Sequence, residues 1–174
     1  DLSICSYRRV YDNFPISYNK EQLKRDIILN KNQTLKILFL NGKYKIDYQG
    51  FIFNKLFKKE IIDKYCIRFA NDIRYNEDRM FIFNYLLHCN KKIQFSKYIG
   101  YNYYKRQGSA TNQKKYNEKM YTEFIAFEKM SELALDNGFK ELDNLIKNEY
   151  INHSLQVFIK YNYLSDYTIK TMKM

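Results

Sequence analysis

Tryptophan is absent from these 174 residues, proline occurs once and glycine five times. So few turn-forming residues argue against a sandwich or barrel closed by many tight hairpins, and helices are expected to predominate. Cysteine is scarce too. Cys5, Cys66 and Cys89 are odd in number, far apart and never in a CxxC pair, so neither a disulfide framework nor a zinc site is expected, and all three read as buried apolar side chains. His88 and His153 lack ligand-spaced partners, which leaves them no metal site to make, and nothing supports a Ser-His-Asp hydrolase. No apolar run approaches the roughly 20 residues needed to cross a bilayer. The opening residues also lack the basic-then-apolar layout of a signal peptide, so a cytoplasmic protein is the expectation. The chain opens on Asp1 rather than methionine, already inside a strand-like pattern, and reads as a fragment of a longer protein.

What is present is a globular composition, with 45% hydrophobic and 18% aromatic residues. That is enough apolar surface to offset the ordering of one domain, with or without a helical appendage, but the length does not allow two full domains. The net charge is +11 and the pI near 9.4, which raises nucleic acid, an anionic membrane face and an acidic or nucleotide-bearing substrate as partners. Nucleic acid is the least favoured of the three. The lysines are scattered through every segment, and no zinc-finger, RRM or basic-zipper pattern occurs.

Along the chain, Leu2, Ile4, Ser6 and Arg8 alternate with Ser3, Cys5 and Tyr7 and predict a strand ending at Asp12-Asn13. Leu23, Ile27 and Ile28 predict a helix from Asn19, and a second short helix is expected over Thr34 to Leu40, stopping at Asn41-Gly42. Leu56, Ile61 and Ile62 against Lys58, Lys59 and Asp63 predict an amphipathic helix from Asn54 to Tyr65. A brief strand over Ile67 to Phe69 and a polar loop over Asn71 to Asn76 precede a helix from Glu77 to Cys89. On that helix Ile82, Phe83, Leu86 and Leu87 share one face, and Asn84 and His88 another. Ile93 to Tyr104 reads as extended and Arg106 to Asn112 as a loop. Beyond it, Met120, Phe124, Phe127, Met130 and Leu133 predict a helix stopped at Asp136-Asn137-Gly138. Ile151, Leu155 and Phe158 mark a second helix, Tyr163 to Met174 a third, and this helical tail is expected to pack on what precedes it.

Glu77-Asp78 is the sharpest local feature, because two adjacent carboxylates after a polar loop can present one as a base. Acidic residues in a first helical turn are also favoured by the macrodipole and by orphan N–H groups, by about 0.3–1 kcal/mol each, so the dipeptide alone does not choose. Its context is more specific. Phe53-Asn54-Lys55-Leu56-Phe57, Ile67-Arg68-Phe69, Glu77-Asp78 with Phe81, and Tyr103-Tyr104-Lys105-Arg106 with Ser109-Ala110-Thr111 form an ordered series. It resembles the second half of bacterial family 2 glycosyltransferases of the capsule and cell-wall polysaccharide kind, over roughly Asp1 to Asn112.

The resemblance implies an α+β, predominantly helical fragment: a partial GT-A domain, an incomplete α/β nucleotide-diphospho-sugar transferase, over residues 1–112, followed by a C-terminal helical bundle over 113–174. It implies transfer of a hexosyl-type sugar, with inversion, from a nucleotide-sugar donor to a saccharide acceptor of cell-surface polysaccharide or glycolipid. Asp78 would be the general base and Glu77 either its orienting neighbour or a plain helix-start acid. Arg106 would hold the diphosphate, assisted by Ser109, or else solvate a strand end together with Lys105. Asn54 and Lys55 would shape the acceptor pocket, although a helix cap also accounts for Asn54. Tyr103 and Tyr104 would stack on a sugar ring or serve as core.

Two departures stand out: Phe53 replaces a frequent Trp, and no Asp-x-Asp segment is present. The Mg2+ or Mn2+ of the intact enzyme would therefore be held outside this fragment, which alone is expected to be inactive. The basic surface fits peripheral contact with the anionic inner membrane face, where lipid-linked acceptors are found. The rival reading is a non-catalytic basic helical module that binds a polyanion, nucleic acid or membrane, or a partner subunit.

Overall fold

A computed structural model describes residues 1–11, 14–17, 25–40, 50–105 and 116–161. The sheet is built on β1 (Leu2–Tyr11), which pairs along its length in parallel with β5 (Ile93–Lys105). On its other side β1 takes two short antiparallel strands, β4 (Lys55–Phe57) at its start and β2 (Phe14–Ser17) at its end. A further antiparallel strand, β3 (Ile27–Leu29), lies on the start of β5. The fold is thus α+β, with a mixed sheet and a predominantly helical remainder.

The pairing of β1 with β5 slips twice, between Cys5 and Ser6 and between Ser6 and Tyr7, with the extra residues on β5. Gly100 lies within this irregular stretch, where a Cβ would come 2.8 Å from Cys5 Sγ, so only glycine fits without displacement. The Asp26 carboxylate accepts the Lys97 N–H at 2.8 Å and steadies the bulge. Past it the buried positions of β1 change parity: Leu2 and Ile4 are buried before it and Tyr7 after it. The simple alternation read from the sequence therefore does not run the length of the strand.

Three predicted elements take another form. Ile27 and Ile28 belong to strand β3 rather than a helix, because β5 offers an edge that β-branched residues pair with readily. Asn54 does not open a helix. Lys55–Phe57 pairs with Leu2–Ile4, and only Lys59–Lys64 is helical (α2). Ile67–Phe69 forms no strand; Ile67 is buried and Phe69 lies stacked on Phe81 at 4.6 Å. The short helix α1 spans Lys31–Ile37, starting earlier than its apolar pattern suggests because Asn30 and Gln33 form a capping box. Of the cysteines, Cys89 is buried, Cys5 is half-buried and Cys66 is exposed at a φ of 50°, so burial does not describe all three. The segments expected at Asn19–Leu23, Asp12-Asn13, Asn41-Gly42, Arg106–Asn112 and Tyr163–Met174 lie outside the described residues.

The helix α3 (Glu77–Leu87) runs through the middle of the core, with Phe81, Ile82, Phe83, Tyr85, Leu86 and Leu87 all buried. Its apolar surface extends well beyond one stripe because it has neighbours on several sides. Phe57 packs edge-on against Phe81 and Tyr85, Phe39 meets Phe83, and α4 (Thr122–Asp136) lies alongside. The Tyr85 hydroxyl is buried and hydrogen-bonded at both ends, donating to the Asp1 carbonyl at 2.6 Å and accepting the Lys58 N–H at 2.8 Å. Burial pushes its pKa up to about 12.

After a 3-10 turn at Glu118–Tyr121, α4 and α5 (Lys140–Tyr161) form an antiparallel hairpin. Phe124, Phe127, Met130 and Ala134 pack on Leu142, Ile146, Tyr150 and Val157 in a core continuous with that of the sheet. The reversal is a Schellman turn. Gly138 adopts a φ of 76°, its N–H reaches the Leu135 carbonyl at 2.9 Å, and the Phe139 N–H reaches that of Ala134 at 2.8 Å. Among the described residues no helix is long and apolar enough to cross a membrane.

Because the Tyr85 hydroxyl ties α3 to the starts of β1 and α2, Tyr85→Phe leaves the Lys58 N–H without that acceptor. A loss of about 1–3 kcal/mol in urea unfolding, with little change in m, is the expected result.

Candidate functional site

The first turn of α3 carries Glu77 and Asp78, and three features of the chain position it. The Arg74 and Tyr75 N–H groups both donate to the Thr122 hydroxyl, at 3.0 and 3.1 Å, so the start of α4 pins the loop that enters the helix. Asn76 takes a left-handed conformation with φ of 70°, one that asparagine tolerates better than most residues, and turns the chain into the helix without capping it by its side chain. Arg79 then anchors the first turn inward, with its guanidinium 5.6 Å from the Phe127 ring and 3.8 Å from the Glu149 carboxylate.

Against this turn lies the segment Gly50 to Lys55. A Cβ on residue 50 would stand 2.8 Å from Arg79 Cβ, part of the helix stem, so glycine is what lets the segment approach so closely. As a result the Ile52 N–H donates to Asp78 Oδ2 at 3.1 Å. No other hydrogen bond to the Asp78 carboxylate is formed among the described residues.

Desolvation raises the Asp78 pKa above its ordinary 3.8, while the Ile52 N–H and the charge of Lys55 pull it back. Glu77 is raised as well, mainly by burial, with a smaller contribution from the Asp78 charge beside it. Burial of these two acids thus works against their full ionisation, and for Asp78 the amide and the ammonium oppose that tendency.

Lys55 is only 7% exposed. Its ammonium donates to the Phe51 carbonyl and, at 2.8 Å, to Asn54 Oδ1. Asn54, also buried, donates through Nδ2 to the Cys5 carbonyl at 2.7 Å, and the Cys5 N–H returns a bond of 3.0 Å to the Asn54 carbonyl. Asn54 is therefore a strap between this segment and β1, and the helix-cap account of it is replaced by that geometry.

The same segment carries two phenylalanines that meet the outer half of β5. Phe53 stacks on Tyr101 at 4.7 Å and on Tyr103 at 5.1 Å, Phe51 stacks on Phe53 at 5.3 Å, and the rings lie within 18–27° of parallel. Tyr7 closes the group edge-on to Phe53 at 5.0 Å.

The structure therefore brings together Asp78, Glu77, Asn54, Lys55 and Tyr103 around one segment. Tyr104, expected to share a sugar-binding role with Tyr103, is one residue along the strand, 55% exposed, and outside this stack, because neighbouring strand residues face opposite ways. Arg106 and Ser109 lie outside the described residues. Tyr101, Tyr7, Gly50 and the Ile52 amide were not singled out by sequence. The spacing of Tyr101 to Tyr103 carried a signal for the first of these, whereas a backbone N–H carries none.

Among the described residues no three His, Cys, Asp or Glu side chains converge to hold a metal ion. His153 is bound instead to Glu123 at 2.7 Å between α4 and α5, and His88 stacks on Tyr65 at 4.0 Å. No known protein family matches this chain, and no curated protein matches it either.

The raised folded pKa of Asp78 has a definite sign in stability. Between 3.8 and the folded value the native state holds more proton than the unfolded chain, so stability falls as pH rises through that window and the deficit persists above it. Asp78→Asn can still accept the Ile52 N–H. It is expected to melt at least as high as the parent at pH 7, with the gap closing as pH drops toward 3.8; a lower melting temperature at pH 7 would show the carboxylate to be a structural partner.

Proposed function

We propose that this chain is the acceptor-side half of an inverting glycosyltransferase of the family 2, GT-A type, with Asp78 as its general base. The supporting observation is the state of one carboxylate: half-buried, fixed through Oδ2 by the Ile52 amide, with no hydrogen bond to Oδ1 among the described residues, on a helix turn against which the segment bearing Phe51 and Phe53 lies. A base must be held within hydrogen-bond reach of the proton it takes and must be ionised at working pH. The Ile52 N–H and the Lys55 ammonium favour ionisation, and burial keeps the group basic enough to accept a proton.

In the proposed step Asp78 Oδ1 takes the hydrogen of an acceptor hydroxyl as that oxygen forms a bond to the anomeric carbon of the donor sugar. The bond from that carbon to the diphosphate oxygen breaks with its electron pair, and the nucleoside diphosphate leaves. Attack opposite the leaving group inverts the centre. Tyr101, 39% exposed and stacked on Phe53, supplies an aromatic face on which a pyranose ring can lie. Glu77, one residue before Asp78, is its neighbour in the first turn, with a pKa raised mainly by burial. Asn54 and Lys55 hold the segment that carries the Ile52 amide, so they position the base rather than touch the sugar.

Among the described residues no group of His, Cys, Asp or Glu side chains could hold a divalent ion. In the intact enzyme Mg2+ or Mn2+, bound elsewhere, would offset diphosphate charge. Arg106 and Ser109 remain the proposed diphosphate contacts. The basic composition suits a cytoplasmic enzyme at the inner membrane face, where polysaccharide acceptors are built on lipid.

The test is sugar transfer by the full-length protein carrying Asp78→Asn, with melting followed in parallel. Loss of about 10²–10⁴-fold in kcat with the fold retained is expected for removal of a general base. Turnover within a few-fold of the parent would remove Asp78 from that role, and tight, steeply salt-dependent oligonucleotide binding without sugar transfer would favour the polyanion-binding alternative.

A further inference from the structure

Two short runs of similar composition, Asn30-Lys31-Asn32 and Asn90-Lys91-Lys92, are 60 positions apart in sequence and face each other across one cavity. The first opens α1 and the second leads from the end of α3 into β5. The cavity, of about 340 Å³, is lined by these six residues and Cys89. It is of the size that small ligands occupy, and it lies at the opposite end of α3 from Asp78.

Three ammonium groups and three carboxamides line it, the Asp1 carboxylate is the acid held against its wall, and none of the three lysines is in an ion pair among the described residues. The walls are also held in place. Lys31 Nζ donates to the Leu87 carbonyl at 3.0 Å, which fixes α1 to the end of α3. The Asp1 carboxylate accepts the N–H groups of Asn90 and Lys91 at 3.0 and 2.9 Å, so an acidic oxygen already occupies the one place where this turn presents consecutive amides. The positive field reaches nearby groups: burial first, and then the Lys31 charge, holds His88 below its usual pKa. Burial pushes the Cys89 thiol up to about 11 against the pull of the N-terminal and Lys31 charges, so it stays neutral and forms the apolar wall.

We infer that this cavity is a binding site for a phosphate-bearing ligand, with Lys91 and Lys92 as its principal charge contacts and Asn30, Asn32 and Asn90 as hydrogen-bond donors to phosphate oxygens. Ammonium groups bind phosphate as point charges, and amides add direction without adding charge. Lys31, committed to the Leu87 carbonyl, contributes field more than contact. The ligand is either a free phosphate compound or the headgroup of a phospholipid, which share this chemistry. Asp78 takes no part in the cavity, so phosphate binding there is independent of its role as a base.

The test is titration of the chain with inorganic pyrophosphate, followed by amide shifts in a two-dimensional NMR spectrum. Saturable shifts at residues 30–32 and 90–92 are expected, weakened at least about tenfold by Lys91→Ala/Lys92→Ala and by added salt, and unchanged by Lys119→Ala, an exposed lysine outside the cavity. Because Lys91 and Lys92 are exposed, the double variant should keep the parent circular dichroism spectrum, and loss of binding then reports the site. Vesicles containing phosphatidic acid separate the two sources. Vesicle binding that the double variant abolishes, with no response to pyrophosphate, assigns the phosphate to a lipid headgroup. Linear shifts spread over all lysines, or equal responses in parent and double variant to both probes, overturn the inference.

Discussion

Burial of α3 on several sides at once is the constraint from which the rest of the molecule follows. A helix seated among a sheet, a short helix and a helical hairpin cannot roll or slide without opening the core, since each large side chain it buries contributes about 1.5–3 kcal/mol. Its ends are therefore fixed points. At one end the first turn presents Asp78 to the Gly50–Lys55 segment; at the other, about 16 Å away by helical rise, the chain turns through Asn90-Lys91-Lys92. The two proposed sites occupy opposite ends of one rigid rod.

The segment at the first end is built so that backbone does the positioning. Gly50 removes a side chain where the helix stem stands, and the Ile52 amide then lands on Asp78. Asn54 and Lys55, both buried, spend their polar groups on carbonyls and on each other, which ties the segment to β1. The carboxylate sits under opposed influences, desolvation raising its pKa and the amide and ammonium lowering it. Neither influence could be adjusted alone by a surface change, because each comes from a group that also holds the fold.

Much of the architecture was legible in the chain. The strand from Leu2, the long strand from Ile93, the helix beginning at Glu77 and the helices around Phe124 and Leu155 all follow from hydrophobic spacing, and the stop at Gly138 from its left-handed turn. What escaped was decided by partners remote in sequence. Ile27–Leu29 and Lys55–Phe57 are too short for a period to identify, and they become strands only because β5 and β1 present edges to them. The bulge beside Gly100 reversed the parity of β1 for the same reason. Of the site, Asp78 and Glu77 were visible as residues and Asn54 and Lys55 as a motif, but their roles as strap and charge depend on carbonyls that no side-chain pattern encodes. The choice of Tyr103 over Tyr104 rests on which way a strand faces.

Direct titration of the Asp78 carboxyl carbon by NMR in the folded chain bears most closely on this account. A midpoint above 3.8, rising further when the Lys55 charge is removed by Lys55→Met, is the expected result. A midpoint at or below 3.8, or one indifferent to Lys55, would contradict it: the carboxylate would then be an ordinary helix-start acid, and the base assigned here would have to be sought elsewhere.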